Sequence, residues 1–450
     1  MKSVRAGHPH DKPHHPHRPL SCLLFAFVLL LGLFSVHESS TWLHIQTGVR
    51  ILAERAVPAV DGFSYTFSGR PWTTDSWLAD VLFQRLHGSA GPWGLIVLKA
   101  VTCAAAFTLL LPVSASSPLL AAAVLALGAV AAWPGLTETP AFFDILLLAL
   151  LLRALRPRSR FHWAMVAQVG LVEILWSNLH GSTAVLGLWV TGLKAFKAGL
   201  REEHPGDSLR QGALVAAAAA GFILNPLGFG AMTHMFGQAG SALAGWQSVS
   251  SAVGLYALFV LLGVWACWIT LQQEFFLTVT AATLLLLSFL VPVLRPLYIL
   301  AVCPVITLAL GHFIHPLRDT HSRLARLAAV MAGVFALHYY WIYVPFSGLR
   351  GYGSESMAGV LHFLDSNGVR GRMFNEPESG EALLAGGRPV FVDARVGLYG
   401  HLFFKDAAHW SLQWRQLREV YGFDYAVILN RRAGSPARVL DEDPEWRLAY

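Results

Sequence analysis

Charged residues are scarce in this chain: they make up 13% of its 450 residues, whereas a soluble globular protein carries about 25%. The deficit is concentrated in long apolar blocks between residues 20 and 344, and the residues after them have the composition of a soluble domain. Such blocks exclude an ordinary soluble protein and predict a membrane protein, with the lipid bilayer as a partner. The net charge of +6 does not indicate nucleic acid as a partner, because Arg and Lys collect in particular loops between the blocks.

Cysteine is scarce too, and the chain has no CxxC pair. The four cysteines all fall inside apolar blocks, at Cys22, Cys103, Cys267 and Cys303. Their positions exclude a disulfide framework or a zinc site and predict buried structural thiols. No motif with metal-ligand spacing predicts a tightly held metal. We therefore expect no metal-ligating residues, and we leave a divalent cation open as the one candidate cofactor.

Apolar blocks are abundant, and many approach the length of about 20 residues that a membrane helix needs. We count about eleven, several of them short. The predicted spans are residues 20–36, 93–113, 118–133, 141–155, 163–179, 183–197, 213–227, 253–271, 275–293, 297–314 and 324–344. No small-residue cleavage site follows the first block, so we interpret it as an uncleaved span rather than a signal peptide. Residues 1–19 are basic and rich in His and Pro, which favours a disordered cytoplasmic tail over a metal site.

The positive charges between the blocks predict the orientation of the chain. Arg and Lys occur in the N-terminal tail and in the loops after the fourth, sixth and tenth spans, whereas the short loops between them have none. The N-terminus is therefore expected in the cytoplasm, and residues 20–345 form the transmembrane domain. The first outer loop, residues 37–92, and a C-terminal domain, residues 346–450, are expected on the extracytoplasmic side.

The first outer loop is too long for a simple connector. Apolar residues recur at three- and four-residue spacing from Trp42 to Leu52 and from Trp77 to Leu86, which predicts two amphipathic helices at the membrane interface. In the C-terminal domain, helical segments alternate with the short predicted strands PVFVDAR and YAVIL. The predicted fold class is therefore mainly α: a polytopic helical membrane bundle with a small C-terminal α/β extracytoplasmic domain.

Ionisable residues at membrane depth are costly and point to function. Lys99, Asp144, Glu173 and Arg295 lie towards the outer ends of their predicted spans and could line one polar cavity at the outer leaflet. Four residues of the outer loops complete the set: Glu38, Asp61, Asn178 and His180. The alternative is pairing inside the bundle, Lys99 with Asp144 and Glu173 with a neighbouring Arg. Arg295 opposes the positive-inside bias, and a lipid-linked phosphate would satisfy its charge.

Several motifs, taken in order, resemble one family. The first outer loop contains WLHIQTGVRILAERAVPAVDGFSYTFSGRPWTTDSWLADVLF, and WSNLHGS, LNPLGF, LRPLYILAVCPV and RPVFVDARVGLYG follow it. Together they resemble a large, mostly uncharacterised group of bacterial membrane proteins placed with the C-type, integral-membrane glycosyltransferases. The resemblance implies that fold and a place in the bacterial inner membrane. It also implies a polyprenyl-phosphate sugar as donor and inverting transfer outside the membrane.

The resemblance also implies roles for single residues. An inverting displacement needs a carboxylate that deprotonates the acceptor hydroxyl and a cation near the leaving phosphate. Glu38 falls where the family places its first acid, and Asp61 in PxxDxFSYT matches, so both are expected to be catalytic. The residues expected to bind substrate are His44, Asp75, Asn178, His180, Arg295, Asp393 and Arg395. Ser40 and Ser76 depart from the pattern, because they stand where carboxylates are expected.

Four alternatives stay open at this point. With Ser40 and Ser76 in place of acids, the protein could be a non-catalytic member of the same fold that binds a glycan or lipid in an envelope assembly complex. A secondary transporter is disfavoured, since the chain shows no internal repeat. In the tail, Asp393 and Arg395 could belong to an acceptor-binding module or form an internal ion pair that holds the strand end. His44 has the corresponding alternative of an interface histidine without a ligand.

Overall fold

The protein is mainly α-helical in the part of the chain that its structure describes. The structure is a computed structural model and describes residues 17–34, 36, 38, 40–113, 117–156, 161–199, 206–232, 253–314, 357–400, 403, 410, 413–428 and 436–449. Seventeen α-helices and one two-stranded sheet lie within these ranges. The predictions of a mainly α chain and of a small C-terminal α/β region are confirmed.

Twelve of these helices precede residue 315. They are α1 (His17–Gly32), α2 (Ser40–Glu54), α3 (Trp77–Ala90), α4 (Pro92–Leu109), α5 (Pro118–Ala132), α6 (Ala141–Ala154), α7 (Trp163–Leu179), α8 (Gly181–Gly199), α9 (Gly206–Ile223), α10 (Val253–Thr270), α11 (Phe275–Leu290) and α12 (Arg295–Ile314). α2 and α3 are the two helices predicted in the first outer loop. The other ten coincide with the first ten predicted spans, and the eleventh, residues 324–344, lies outside the described residues.

Within the described ranges, three helical stretches are long and apolar enough to cross a membrane by length and composition: Pro92–Val113, Pro118–Gly135 and Pro292–His312. Five shorter apolar helices accompany them: Pro19–Gly32, Trp163–Leu179, Ser208–Ile223, Gly254–Thr270 and Phe275–Leu290. These helices indicate a multi-pass membrane protein associated with a lipid bilayer.

The flanks of the bundle are as apolar as its interior. On α10, Leu261 is 71% exposed and Trp268 is 87% exposed. A lipid bilayer would bury these apolar side chains, whereas in water they would stay exposed. α12 is buried instead, because it packs against α5, α10 and α11. Tyr298 on α12 is almost fully buried, and its hydroxyl donates to the Phe259 carbonyl of α10 at 2.8 Å.

Several loops between the helices meet at one end of the bundle, which we call the polar end (residues 33–34, 36, 38, 40–91, 133–140, 178–182, 224–227 and 291–296). Thr41 Oγ1 donates to the Glu138 carbonyl at 2.8 Å, which joins the start of α2 to the loop before α6. Asn178 Nδ2 donates to the Leu224 carbonyl at 2.8 Å, which joins the ends of α7 and α9. Residues far apart in the sequence therefore share one surface.

The opposite end of the bundle, which we call the basic end, carries Arg153 and Lys194 among the described residues. Arg153 Nη1 donates to the Leu109 carbonyl at 3.3 Å, at the ends of α6 and α4. Lys194 Nζ, in the last turns of α8, donates to the Arg156 carbonyl at 3.4 Å. Both contacts tie the ends of neighbouring helices together at this end.

The C-terminal region, residues 357–449 where described, contains five helices and the sheet. They are α13 (Ala358–Ser366), β1 (Met373–Asn375), α14 (Pro377–Leu384), α15 (Val396–Tyr399), α16 (Trp414–Tyr421), β2 (Tyr425–Val427) and α17 (Ala437–Glu442). β1 and β2 run parallel, with Phe374 paired to Ala426. The strand predicted in YAVIL is β2, whereas β1 lies in GRMFNE, where no strand was predicted.

The predicted strand PVFVDAR does not join this sheet, and this prediction is wrong. The Asn375 side chain takes the place of a neighbouring strand: its Oδ1 accepts from the Phe391 N–H at 2.8 Å and its Nδ2 donates to the Val392 carbonyl at 2.7 Å. A side chain that bonds the backbone in this way competes with ladder formation. Val390 forms only an isolated parallel bridge, with Ser64 of the first outer loop.

That bridge docks the first outer loop on the C-terminal region. Tyr65 N–H donates to the Val390 carbonyl at 3.1 Å, and Val390 N–H donates to the Phe63 carbonyl at 3.0 Å. Leu43 and Phe63 pack in one hydrophobic cluster of the C-terminal region, and Tyr65 packs against a second cluster that is rich in aromatic residues. The C-terminal region therefore rests on the first outer loop, beside the polar end.

Candidate functional site

The first outer loop is anchored on the corner between α7 and α8. The Gly181 N–H donates to the Asp75 carbonyl at 2.8 Å, and the Ser182 N–H donates to Asp75 Oδ2 at 3.0 Å. The first amides of a helix lack partners within the helix, so a carboxylate there is stabilising. Trp77 Nε1 donates to Asn178 Oδ1 at 2.8 Å in the same corner. Asp75 and Asn178, both predicted to bind substrate, are thus brought together by contacts within the protein.

Asp80, which no sequence motif marks, lies behind His44. His44 Nδ1 is 2.7 Å from Asp80 Oδ1. Thr74 Oγ1 donates to Asp80 Oδ2 at 2.7 Å, and Ser76 Oγ lies 3.3 Å from Asp80 Oδ1. Burial raises the pKa of Asp80, and it outweighs the neighbouring His44, which lowers that pKa. Ser76, one of the two departures from the family pattern, thus helps to hold a buried acid four residues further on.

A second aspartate–histidine pair closes the corner between α7 and α8. His180 Nδ1 is 2.7 Å from Asp144 Oδ2, and both side chains are buried. Trp176 Nε1 and Thr183 Oγ1 donate to the other oxygen, Asp144 Oδ1, at 2.9 and 2.8 Å. Burial lowers the pKa of His180, but the charge of Asp144 and its hydrogen bond raise it, and the resulting pKa is about 9. At neutral pH His180 is therefore a buried imidazolium.

The pairing expected between Lys99 and Asp144 is wrong. Lys99 instead forms an ion pair with Glu138, and both side chains are fully buried. Its Nζ also lies 3.1 Å from the centroid of the Phe34 ring, a cation–π contact. Glu138 comes from the loop before α6, and the sequence could not show that this loop folds back onto α4.

The pairing expected between Glu173 and an Arg is also wrong for the residues that the structure describes. Glu173 is fully buried on α7, and neither of its carboxylate oxygens has a hydrogen-bond partner there. A Cβ at Gly187 of α8 or at Gly221 of α9 would collide with its side chain. The two glycines therefore make the space that the carboxyl group fills, and Glu173 does not reach the polar end.

Asp61, Asp393 and Arg395 form one buried cluster, which we call the clasp. Arg395 Nη2 is 2.8 Å from Asp61 Oδ1 and 2.7 Å from Asp393 Oδ2. Tyr399 OH donates to Asp393 Oδ2 at 3.1 Å, and the Arg395 guanidinium lies over the Trp72 ring, 4.6 Å from its centroid. The internal ion pair between Asp393 and Arg395 is therefore present, and Asp61 extends it across to the first outer loop.

Among the residues predicted to be catalytic or to bind substrate, Glu38 and Arg295 are the two ionisable ones without such a partner in the part of the chain that the structure describes. Glu38 is half-buried just before α2, and Arg295 is half-buried at the first position of α12. Neither has a hydrogen bond or ion pair to a residue that the structure describes. The Arg295 guanidinium lies over the Tyr256 ring, 5.4 Å from its centroid. One acid and one cation at the polar end are therefore left for a ligand.

Within the described ranges, no group of three or more His, Cys, Asp or Glu side chains has the arrangement of a metal site. Asp80 and Glu138 contact residues of the predicted polar set, but they were not selected from the sequence. A signal for Asp80 existed, since an acid that follows Trp77 by three residues lies beside the apolar face of an amphipathic helix. The sequence carries no such signal for Glu138, because its pairing with Lys99 depends on the tertiary structure.

No protein-family model matches this chain, and no curated protein matches it.

Proposed function

We propose that this is a multi-pass protein of the bacterial inner membrane that transfers a sugar from a polyprenyl-phosphate donor to an acceptor at its outer face. Glu38 would remove the proton from the acceptor hydroxyl, and Arg295 would bind the donor phosphate. The observation that carries this proposal is that the other ionisable residues predicted to be catalytic or to bind substrate bond to the protein, whereas Glu38 and Arg295 have no hydrogen bond or ion pair to a described residue. The motifs that resemble C-type glycosyltransferases supply the reaction class.

These two residues account for the proton and the negative charge that move in the transfer. The acceptor hydroxyl gives its proton to the Glu38 carboxylate, and its oxygen forms a bond to the anomeric carbon of the sugar. The bond from that carbon to the phosphate oxygen breaks, and its electron pair leaves with the phosphate. Arg295 stabilises this charge, and so does the N-terminus of α12, where Arg295 lies. One displacement on the opposite face inverts the anomeric centre.

The other predicted residues shape the site. In this proposal the clasp residues Asp61, Asp393 and Arg395 hold the C-terminal region against the first outer loop, so that it covers the polar end. Asp75 and Asn178 fix the loop on the α7–α8 corner. The substrate then meets Glu38, His44 and Arg295 under a roof that is held in place by buried polar contacts.

The proposed orientation places the polar end outside and the basic end in the cytoplasm. The contacts of Arg153 and Lys194 at the basic end support it, because cytoplasmic loops carry the excess of Arg and Lys. In the full proposal about eleven spans cross the bilayer, with the N-terminus inside and the C-terminal domain outside.

A transfer assay with the full-length protein in lipid vesicles tests this function. The donors would be synthetic polyprenyl-phosphate sugars, and the readout would be release of polyprenyl phosphate together with sugar on an added glycan acceptor or on water. We expect release that depends on the protein. Binding of the donor with no release would contradict the enzyme and favour a non-catalytic glycan- or lipid-binding component, which Ser40 and Ser76 in place of acids also favour.

A further inference from the structure

His44 presents one of its ring nitrogens to the protein and keeps the other free. Nδ1 faces Asp80, whereas Nε2 forms no hydrogen bond to the described part of the chain and is not sealed from solvent. The His44 side chain is 20% exposed and that of Asp80 is fully buried. Any proton that enters or leaves the pair therefore passes through His44 Nε2.

The position of that proton does not depend on which of the two groups holds the charge. With one proton on the imidazole and an ionised Asp80, Nδ1 donates to the carboxylate and Nε2 is an empty acceptor. A second proton gives either an imidazolium beside a carboxylate or a neutral carboxylic acid beside a neutral imidazole. Nε2 carries an N–H in both of these forms, because Nδ1 is engaged with Asp80.

Burial favours the form that carries the second proton. The Asp80 side chain is fully buried, and this burial raises the pKa of its carboxyl group. A pair that keeps its second proton is neutral overall, which avoids a net negative charge in a buried place.

We propose that the His44–Asp80 pair is the general acid of the site, with His44 Nε2–H as the donor to a phosphate oxygen of the lipid-linked ligand. This inference rests on the proposed function, in which the only oxygen that gains negative charge is that of the departing phosphate. The Nε2 proton moves to this oxygen as the bond to the sugar breaks, and the acceptor proton goes to Glu38. Before the next turnover, Glu38 releases its proton to water and the pair takes one up from water.

Two variants and two readouts test the acid. His44→Ala removes the proton donor. Asp80→Asn keeps the imidazole but removes the carboxylate that stabilises the second proton of the pair. The matched control is His87→Ala, because His87 lies in the same helix pair and contacts Trp42 edge-on, with ring centroids 5.6 Å apart. The first readout is the pH profile of transfer, and the second is the binding of a polyprenyl monophosphate to the full-length protein in nanodiscs.

In the wild type, we expect transfer to fall at alkaline pH as the pair loses its proton. His44→Ala is expected to lower the rate by about 10²-fold or more and to remove this alkaline decline. Asp80→Asn is expected to move the decline to lower pH. Wild-type binding of polyprenyl monophosphate is expected to weaken about tenfold over the same range, as the loss of one charge-assisted hydrogen bond requires. His44→Ala is expected to abolish this pH dependence, and His87→Ala is expected to behave as the wild type.

The two proposals fail in different ways. If the wild type transfers sugar and His44→Ala keeps both its rate and its alkaline decline, the acid is wrong and the function stands. If the wild type transfers nothing, the function is wrong, and the binding experiment decides the role of His44. Equal pH dependence of binding in the wild type and in His44→Ala would then overturn the assignment of Nε2 as a phosphate donor.

Discussion

Glu38→Gln is expected to lower the rate of sugar transfer by about 10²- to 10⁴-fold, the usual contribution of a general base. Gln has nearly the same shape as Glu but cannot accept a proton. Glu38 has no hydrogen bond or ion pair to a described residue, so its neutralisation leaves no buried partner uncompensated. We therefore expect the variant to accumulate in membranes as the wild type does. Glu54→Gln is the matched control, because Glu54 is 48% exposed and pairs with Arg50.

Arg295→Ala is the companion experiment at the phosphate. Removing a cation that stabilises the charge of the leaving group is expected to cost about 10²- to 10³-fold in rate. Arg295→Lys is expected to recover only part of this loss, since an ammonium keeps the charge but not the planar fork that matches a phosphate. The control is Arg85→Ala, on the exposed face of α3. Unchanged transfer in both Glu38→Gln and Arg295→Ala would remove the two residues from the mechanism.

The second large effect is expected at the clasp. Arg395→Leu removes the only cation within ion-pairing distance of Asp61 and Asp393 in the part of the chain that the structure describes, and leaves both carboxylates buried. Breaking a buried pair in this way costs about 3–5 kcal/mol. We expect a clear fall in the thermal transition of the purified protein and faster proteolysis in the C-terminal region. Adding Asp61→Asn and Asp393→Asn to the same chain is expected to recover part of the loss.

A surface pair provides the comparison for the clasp. Arg418 and Glu445 pair on the C-terminal region with side chains that are 42% and 69% exposed. An exposed pair contributes about 0–1 kcal/mol, so Arg418→Leu is expected to leave the transition and the proteolysis rate almost unchanged. Equal effects of Arg395→Leu and Arg418→Leu would show that the clasp does not hold the C-terminal region on the first outer loop.

The helices of this protein could be predicted from the sequence because their signals are local. Apolar length predicted α4 and α5, and apolar residues at three- and four-residue spacing predicted α2 and α3. The local signal in PVFVDAR predicted a strand that does not form. It has the composition of a strand, but Asn375 takes up the backbone bonds of Phe391 and Val392 that a neighbouring strand would need.

Ionisable residues at membrane depth could be found from the sequence, but their partners could not. Lys99 is buried, yet its partner is Glu138 in a loop that folds back. Asp61 and Arg395 meet although about three quarters of the chain separates them. Such pairs depend on which loops share an end of the bundle, and a single sequence contains no local signal for that. Asp80 shows the same limit within one loop, since only the packing of α3 on α2 reveals that it faces His44.

The central claim is that Glu38 faces a lipid-phosphate ligand at the outer side of the membrane. A single cysteine tests it most directly: Glu38→Cys in a full-length protein whose Cys22, Cys103, Cys267 and Cys303 are replaced by Ala. We predict that a membrane-impermeant maleimide labels this cysteine in intact spheroplasts and that added polyprenyl phosphate slows the labelling.

Two control positions show that the labelling reports sidedness and ligand. Ser89→Cys, at the exposed end of α3, is predicted to label from outside with no protection by the lipid. Arg153→Cys, at the basic end, is predicted to label only after the membrane is permeabilised. Labelling of Glu38→Cys only after permeabilisation, or at the same rate with and without polyprenyl phosphate, would contradict the account.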